Sequence, residues 1–287
     1  MKYQSFCKKV VKALGKTFES KTYDESAKLS LNYFNEFIGD DIGLIPSVVI
    51  TGWINSDLTR QAVSEVLKEG QYQTLSDTLI AAVIAFKINE FLDEPEPPRY
   101  RPEDLLRSFL LSYALGYKKG EKLFFEKLLT FGFGAEASIW SPDLTHPDYI
   151  AVALNLIESY QRKLLVTAKP RSRYDQWFDG QCGDETTINR FCQLHLLLAK
   201  GETGTEDLDS PFGRLADALI PYEVMAYRKL YEEIYGETLP VQGDAVCLIE
   251  PWLKPRFENR LEDKTCTTMV SSLSEKLGRD FLAEALD

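Results

Sequence analysis

Apolar residues recur at three- and four-residue steps along most of this chain, and that period constrains the fold more than any other feature. It is the period of an α-helix with one buried face. Tyr3, Phe6, Cys7, Val10, Val11, Leu14 and Phe18 make a first stripe, with Lys2, Lys8, Lys9, Lys12 and Lys16 outside it. A second helix is expected from the capping box Thr22–Glu25 to Gly39, with Tyr23, Ala27, Leu31, Phe34 and Ile38 along one side. Further helices are expected from near Asp57 to Gly70 and from Thr74 to the Pro-rich run at 95–98. Others run from Pro102 to Gly116, 118–130, from Pro147 through Leu164, 185–199, 212–220 and 221–236. The last opens at Ser272 with Glu275 three residues on. Two short apolar runs, 48–51 and 245–249, fit either helix or strand.

The pattern predicts an all-α protein of about ten to twelve helices, mostly antiparallel neighbours, in one compact domain over 1–287. The Pro-rich loop at 93–102 is the one place where it could subdivide. No repeat of 20 to 50 residues is evident, which argues against a solenoid scaffold.

Composition narrows the class. Hydrophobic residues make up 44 % and aromatics 12 %, too much for a disordered chain. The net charge of −11 disfavours a general nucleic-acid binder, whose affinity rests on phosphate contacts. No segment approaches the roughly 18 consecutive apolar residues of a membrane span. The basic N-terminus has no signal-peptide core behind it. Five scattered cysteines (7, 182, 192, 247 and 266) do not read as a disulfide framework and suggest free thiols in a reducing cytosol.

Motifs for chemistry are sparse. The two histidines, His146 and His195, sit in no metal-binding pattern, and no two cysteines have Cys-x-x-Cys spacing. His195 falls on an apolar stripe, seven residues after Ile188, and reads as a core histidine. Gly132, Gly134 and Ala137 match a loose dinucleotide fingerprint but follow a helix rather than a strand. Asp40-Asp41 offers two carboxylates of a diphosphate-type metal motif and lacks the third. Cys182 lies between acidic residues, which oppose thiolate formation. No cofactor, no metal ligand and no catalytic residue is assigned on these grounds.

The charge is unevenly placed. Residues 1–200 hold 24 basic and 26 acidic side chains, while residues 201–287 hold 9 and 18. Concentrated acid steers a basic partner towards its site. The candidate partner-binding residues are Glu202, Glu206, Asp207, Asp209, Glu232, Glu233, Glu237 and Asp244. Tyr222, Tyr227, Tyr231, Tyr235 and Trp252 lie in the same third, and any that stay exposed would serve as interface anchors. Arg162, Lys163, Lys169, Arg171 and Arg173, with Tyr174 and Trp177, form a smaller basic and aromatic patch. That patch reads as a helix C-terminus dressed with cations.

Overall size, helix density and two segments, Leu110 to Gly120 and Leu239 to Leu253, resemble the all-helical immunity proteins of bacterial polymorphic-toxin systems. The resemblance implies a cytoplasmic, non-catalytic inhibitor that occludes a toxin enzyme. For an acidic inhibitor the expected partner is a basic protein, such as a nuclease toxin. The alternatives are an all-α enzyme with a carboxylate-lined cavity and a helical scaffold.

Overall fold

The computed structural model describes residues 20–38, 45–92, 102–132, 147–167, 178, 186–200, 219–243, 245, 249–253 and 256–287. The protein is all-α, and no strand occurs among the described residues. The helices are α1 (Ser20–Phe37), α2 (Ile45–Trp53), α3 (Thr59–Glu69), α4 (Gln73–Phe91), α5 (Pro102–Leu115) and α6 (Lys118–Lys127). They continue as α7 (Pro147–Arg162), α8 (Thr187–Lys200), α9 (Tyr222–Tyr235), α10 (Lys264–Leu277) and α11 (Phe281–Leu286). The first stripe at 3–18, the fingerprint beyond Gly132, the Asp40-Asp41 pair, Cys182 and the Pro-rich run lie outside the described residues.

Helix α4 is buried on nearly every side from Thr74 to Asn89. A helix that is apolar all round belongs inside a core rather than on its edge. Helices α2, α3 and α11 pack on it, and α6 and α5 touch it. A second centre forms where α9 packs on α5, α7 and α8. Buried Phe, Leu, Ile and Val side chains link both centres into one hydrophobic cluster that reaches from Phe34 to Ala285.

The run at 48–51, open between helix and strand by sequence, is helical and lies in α2. Thr51 satisfies its hydroxyl by donating to the Ser47 carbonyl one turn back (2.7 Å). A π-helical turn, Ile54–Leu58, joins α2 to α3 without a break. It tucks Asn55 inside, where Arg107 Nη2 donates to Asn55 Oδ1 at 3.1 Å and pairs with Asp104 at 3.2 Å.

The C-terminal helix begins earlier than the Ser272–Glu275 box suggests. Asp263 caps α10 by accepting from the Cys266 amide (2.7 Å). Gly278, left-handed at φ 64°, then ends it. Asp280 caps α11, so the expected single helix is two.

The α5–α6 hairpin depends on two glycines. Gly116 takes φ 84° at the end of α5. Gly120 lets α6 lie against Tyr117 and Ser112, since a Cβ there would come within 2.5 Å of the Tyr117 ring and 2.6 Å of Ser112 Oγ. Tyr117 has little room to yield. Its ring stacks on Phe257 (4.2 Å) and its hydroxyl donates to the Ala285 carbonyl (2.7 Å). Gly120→Val is therefore expected to lower unfolding free energy by about 1–3 kcal/mol through overpacking. Urea denaturation would read this, with Lys119→Val as a surface control.

Candidate functional site

The cations, carboxylates and phenols of α5, α6, α7 and α9 meet at one end of the second helix centre. Helix α9 ends at Gly236 (φ 72°). Glu232, Glu233 and Glu237 are exposed there, so the structure brings together three of the residues selected from sequence. Glu202, Glu206, Asp207, Asp209 and Asp244 lie outside the described residues. Among the described residues Glu232 and Glu237 make no ion pair, whereas Glu233 meets Lys163 Nζ at 3.5 Å.

The aromatic set divides as its spacing implies. Tyr222, Tyr227 and Trp252 are buried. Tyr231 is half-buried and Tyr235 is 43 % exposed, with their rings 4.6 Å apart. An exposed phenol beside three glutamates is the anchor-and-rim arrangement common to interfaces.

Lys163 explains the end of α7. It has a positive φ of 52°, where glycine is usual. The Leu164 amide donates back to the Ser159 carbonyl at 3.3 Å and closes the turn. The Lys163 ammonium lies 4.2 Å from the Tyr160 ring centre and also faces Glu233. Tyr160 in turn donates to Glu121 Oε1 (2.7 Å), and Lys118 pairs with Glu121 Oε2 (2.9 Å). Burial, together with Glu121, pushes the Tyr160 phenol well above its usual range. Tyr113 is raised for the same primary reason, with Glu233 and Glu121 adding to it.

Lys229 connects this cluster to a cleft of about 480 Å³. Its ammonium donates to the Tyr113 carbonyl (2.5 Å) and sits 4.9 Å from the Tyr113 ring centre. Burial lowers its pKa, Lys118 and Lys163 push the same way, and Glu233 and Glu121 oppose them. The sequence reading missed Lys229, Tyr113, Tyr160 and Glu121. Tyr113, Glu121 and Tyr160 lie in the near-neutral first two hundred residues, and Lys229 is one of the few cations in the acidic last third, so no local charge pattern marks them.

His195 is a core residue, as its place on the stripe of α8 predicts. Its Nδ1 meets Glu223 Oε1 of α9 inside the core, with both side chains buried. Among the described residues Glu223 Oε2 has no hydrogen-bond partner. The thiols of Cys192 and Cys266 are buried.

A second polar cluster lies around the start of α4, on a cleft of about 550 Å³. Asp77, 2 % exposed, accepts from Gln73 Nε2 (2.7 Å) and from the amides of Glu262 (3.1 Å) and Asp263 (2.9 Å). Asp263 accepts from the Tyr23 hydroxyl (2.8 Å) and Trp53 Nε1 (3.2 Å) while it caps α10. Burial pushes the Asp77 carboxyl up to about 6, although the three donors pull it down. These oxygens are occupied by the fold and pin α10 to α1, α2 and α4. Among the described residues no group of three or more His, Cys, Asp or Glu is placed to hold a metal ion. Likewise, no described helix is long and apolar enough to cross a membrane.

No family model, no curated protein and no solved structure matches the chain at a significant level.

Proposed function

We propose that this is a non-catalytic binding protein, an immunity-type inhibitor that neutralises a basic toxin enzyme in the bacterial cytoplasm. The observation that carries the reading is the end of α9, where Glu232, Glu233 and, just beyond it, Glu237 are exposed within the same short stretch as the exposed ring of Tyr235. The glutamates supply long-range attraction to a positive cleft, and the phenol supplies buried contact once docked. A nuclease is a fitting target, because the inhibitor then competes with nucleic acid for the same positive surface.

The test is a pull-down from bacterial cytosol with the full chain as bait, after which any toxin enzyme captured is immobilised for kinetic binding. Reversing Glu232, Glu233 and Glu237 to lysine is expected to slow association about tenfold or more at low salt, with the gap closing as salt rises. Tyr235→Ala is expected to speed dissociation instead. Equal association rates for wild type and triple variant at every salt concentration would sink the reading.

A second reading, an all-α enzyme with a carboxylate-lined cavity, draws on the raised carboxyl of Asp77. The engagement of that carboxyl by two backbone amides supports a structural role instead.

A further inference from the structure

Lys229 has surroundings that its hydrogen bond to the Tyr113 carbonyl does not need. It lines a cleft whose wall also carries Arg228, Glu233, Met225, Trp252 and Leu253. Two other lysines lie close enough to lower its pKa, and burial does so more strongly. An amine that is partly desolvated and flanked by cations is the usual setting of a carbonyl-reactive lysine. The space, about 480 Å³, suits a small molecule. The neighbouring guanidinium suits a carboxylate, and the apolar wall suits a short hydrocarbon chain.

We propose that Lys229 is a covalent capture site for small α-oxo acids. Its Nζ condenses with the oxo carbon, Arg228 holds the carboxylate, and Met225, Trp252 and Leu253 take the carbon chain. The amine lone pair forms the C–N bond while the carbonyl π pair moves to oxygen, which takes one amine proton. The C–O bond then breaks as nitrogen forms the double bond. Glu233 carries the remaining N–H proton to the departing hydroxyl, which leaves as water. One amine and one carbonyl give one imine and one water, with no change of oxidation state. This inference does not rest on the toxin-binding reading.

The experiment incubates the full chain with α-ketoisocaproate and cyanoborohydride, then maps the reductively trapped adducts by peptide mass spectrometry. Isovaleraldehyde, the same skeleton without the carboxylate, is the parallel probe. Lys229 is expected to be labelled at least about tenfold faster than the exposed lysines Lys118 and Lys264, since burial and the neighbouring lysines leave more of its amine unprotonated inside a cleft that holds the ligand. Arg228→Gln should reduce labelling by the oxo acid and leave labelling by the aldehyde unchanged. Lys229→Arg, which retains a cation for the Tyr113 carbonyl, should remove the fast adduct. Should that variant fail to fold, the site ratio in the wild-type chain decides alone. Labelling spread evenly over exposed lysines overturns the capture site. An Arg228→Gln variant that keeps its oxo-acid labelling, or loses aldehyde labelling equally, overturns the ligand class.

Discussion

Replacing His195 with alanine is expected to cost about 3–5 kcal/mol of unfolding free energy, because it opens a cavity in the core and takes the hydrogen-bond partner from the buried Glu223 carboxyl. Glu223 is 1 % exposed and would then face the core without its basic neighbour. Its other oxygen already lacks a partner among the described residues. Replacing both residues together, His195→Leu with Glu223→Met, should cost far less, since apolar groups of similar volume remove the stranded carboxyl along with its partner. The double-mutant cycle is the measurement, read by urea denaturation. A double variant as unstable as the single one would show that packing volume, not the pair, holds α8 to α9. The outcome also bears on function. The end of α9 carries Glu232, Glu233 and Tyr235, with Glu237 just beyond it, so on the proposed binding reading a loosened α8–α9 contact should slow association with a basic partner.

How far the sequence reveals this arrangement depends on where each group finds its partner. Helix α1 is legible because only one side is buried, and the stripe Tyr23, Ala27, Leu31, Phe34 and Ile38 marks that side. Helix α4 is buried all round, so its stripe disappears and only its length and its end signals mark it. In α2, the β-branched residues Val48, Val49, Ile50 and Thr51 suit a strand by propensity, and tertiary burial overrides that preference. The start of α10 was hidden for a related reason. Thr265, Thr267, Thr268, Ser271 and Ser272 are weak helix formers, and Ser272–Glu275 imitates a capping box inside the helix. Of the candidate site, the three glutamates at and just beyond the end of α9 are readable because they are neighbours in sequence. Lys163, Tyr160, Glu121 and Lys229 are not, because their association comes from the packing of α6 and α9 against α5 and of α7 against α9. The partner of His195 is 28 residues away on another helix, beyond the reach of any local pattern.

Asp77→Ala is expected to destabilise the protein by about 3–5 kcal/mol, because it strands the amides of Glu262 and Asp263 and the Gln73 side chain together. The two amides sit just before α10, so the loss should loosen the Asp263 cap and its contacts with Tyr23 and Trp53 as well. Asp77→Asn tests the charge separately. It retains one acceptor oxygen and turns an amide hydrogen towards one backbone donor, so its cost should be well below that of alanine. The pH dependence has a definite sign. The folded carboxyl titrates at about 6, against its ordinary value of 3.8, so the folded state holds a proton that the unfolded state has released between those values. Asp77 therefore stabilises most below pH of about 4 and loses that contribution as pH rises through about 6. The loss is on the order of 2–3 kcal/mol for a shift of about two units. At neutral pH the carboxylate is retained for its geometry, since two backbone amides and Gln73 need acceptors at one point. Chemical denaturation between pH of about 4 and 7 should show this downward slope in the wild type, and a shallower one in Asp77→Asn. An identical slope in the two proteins would place the titration elsewhere and leave Asp77 a purely geometric anchor for α10.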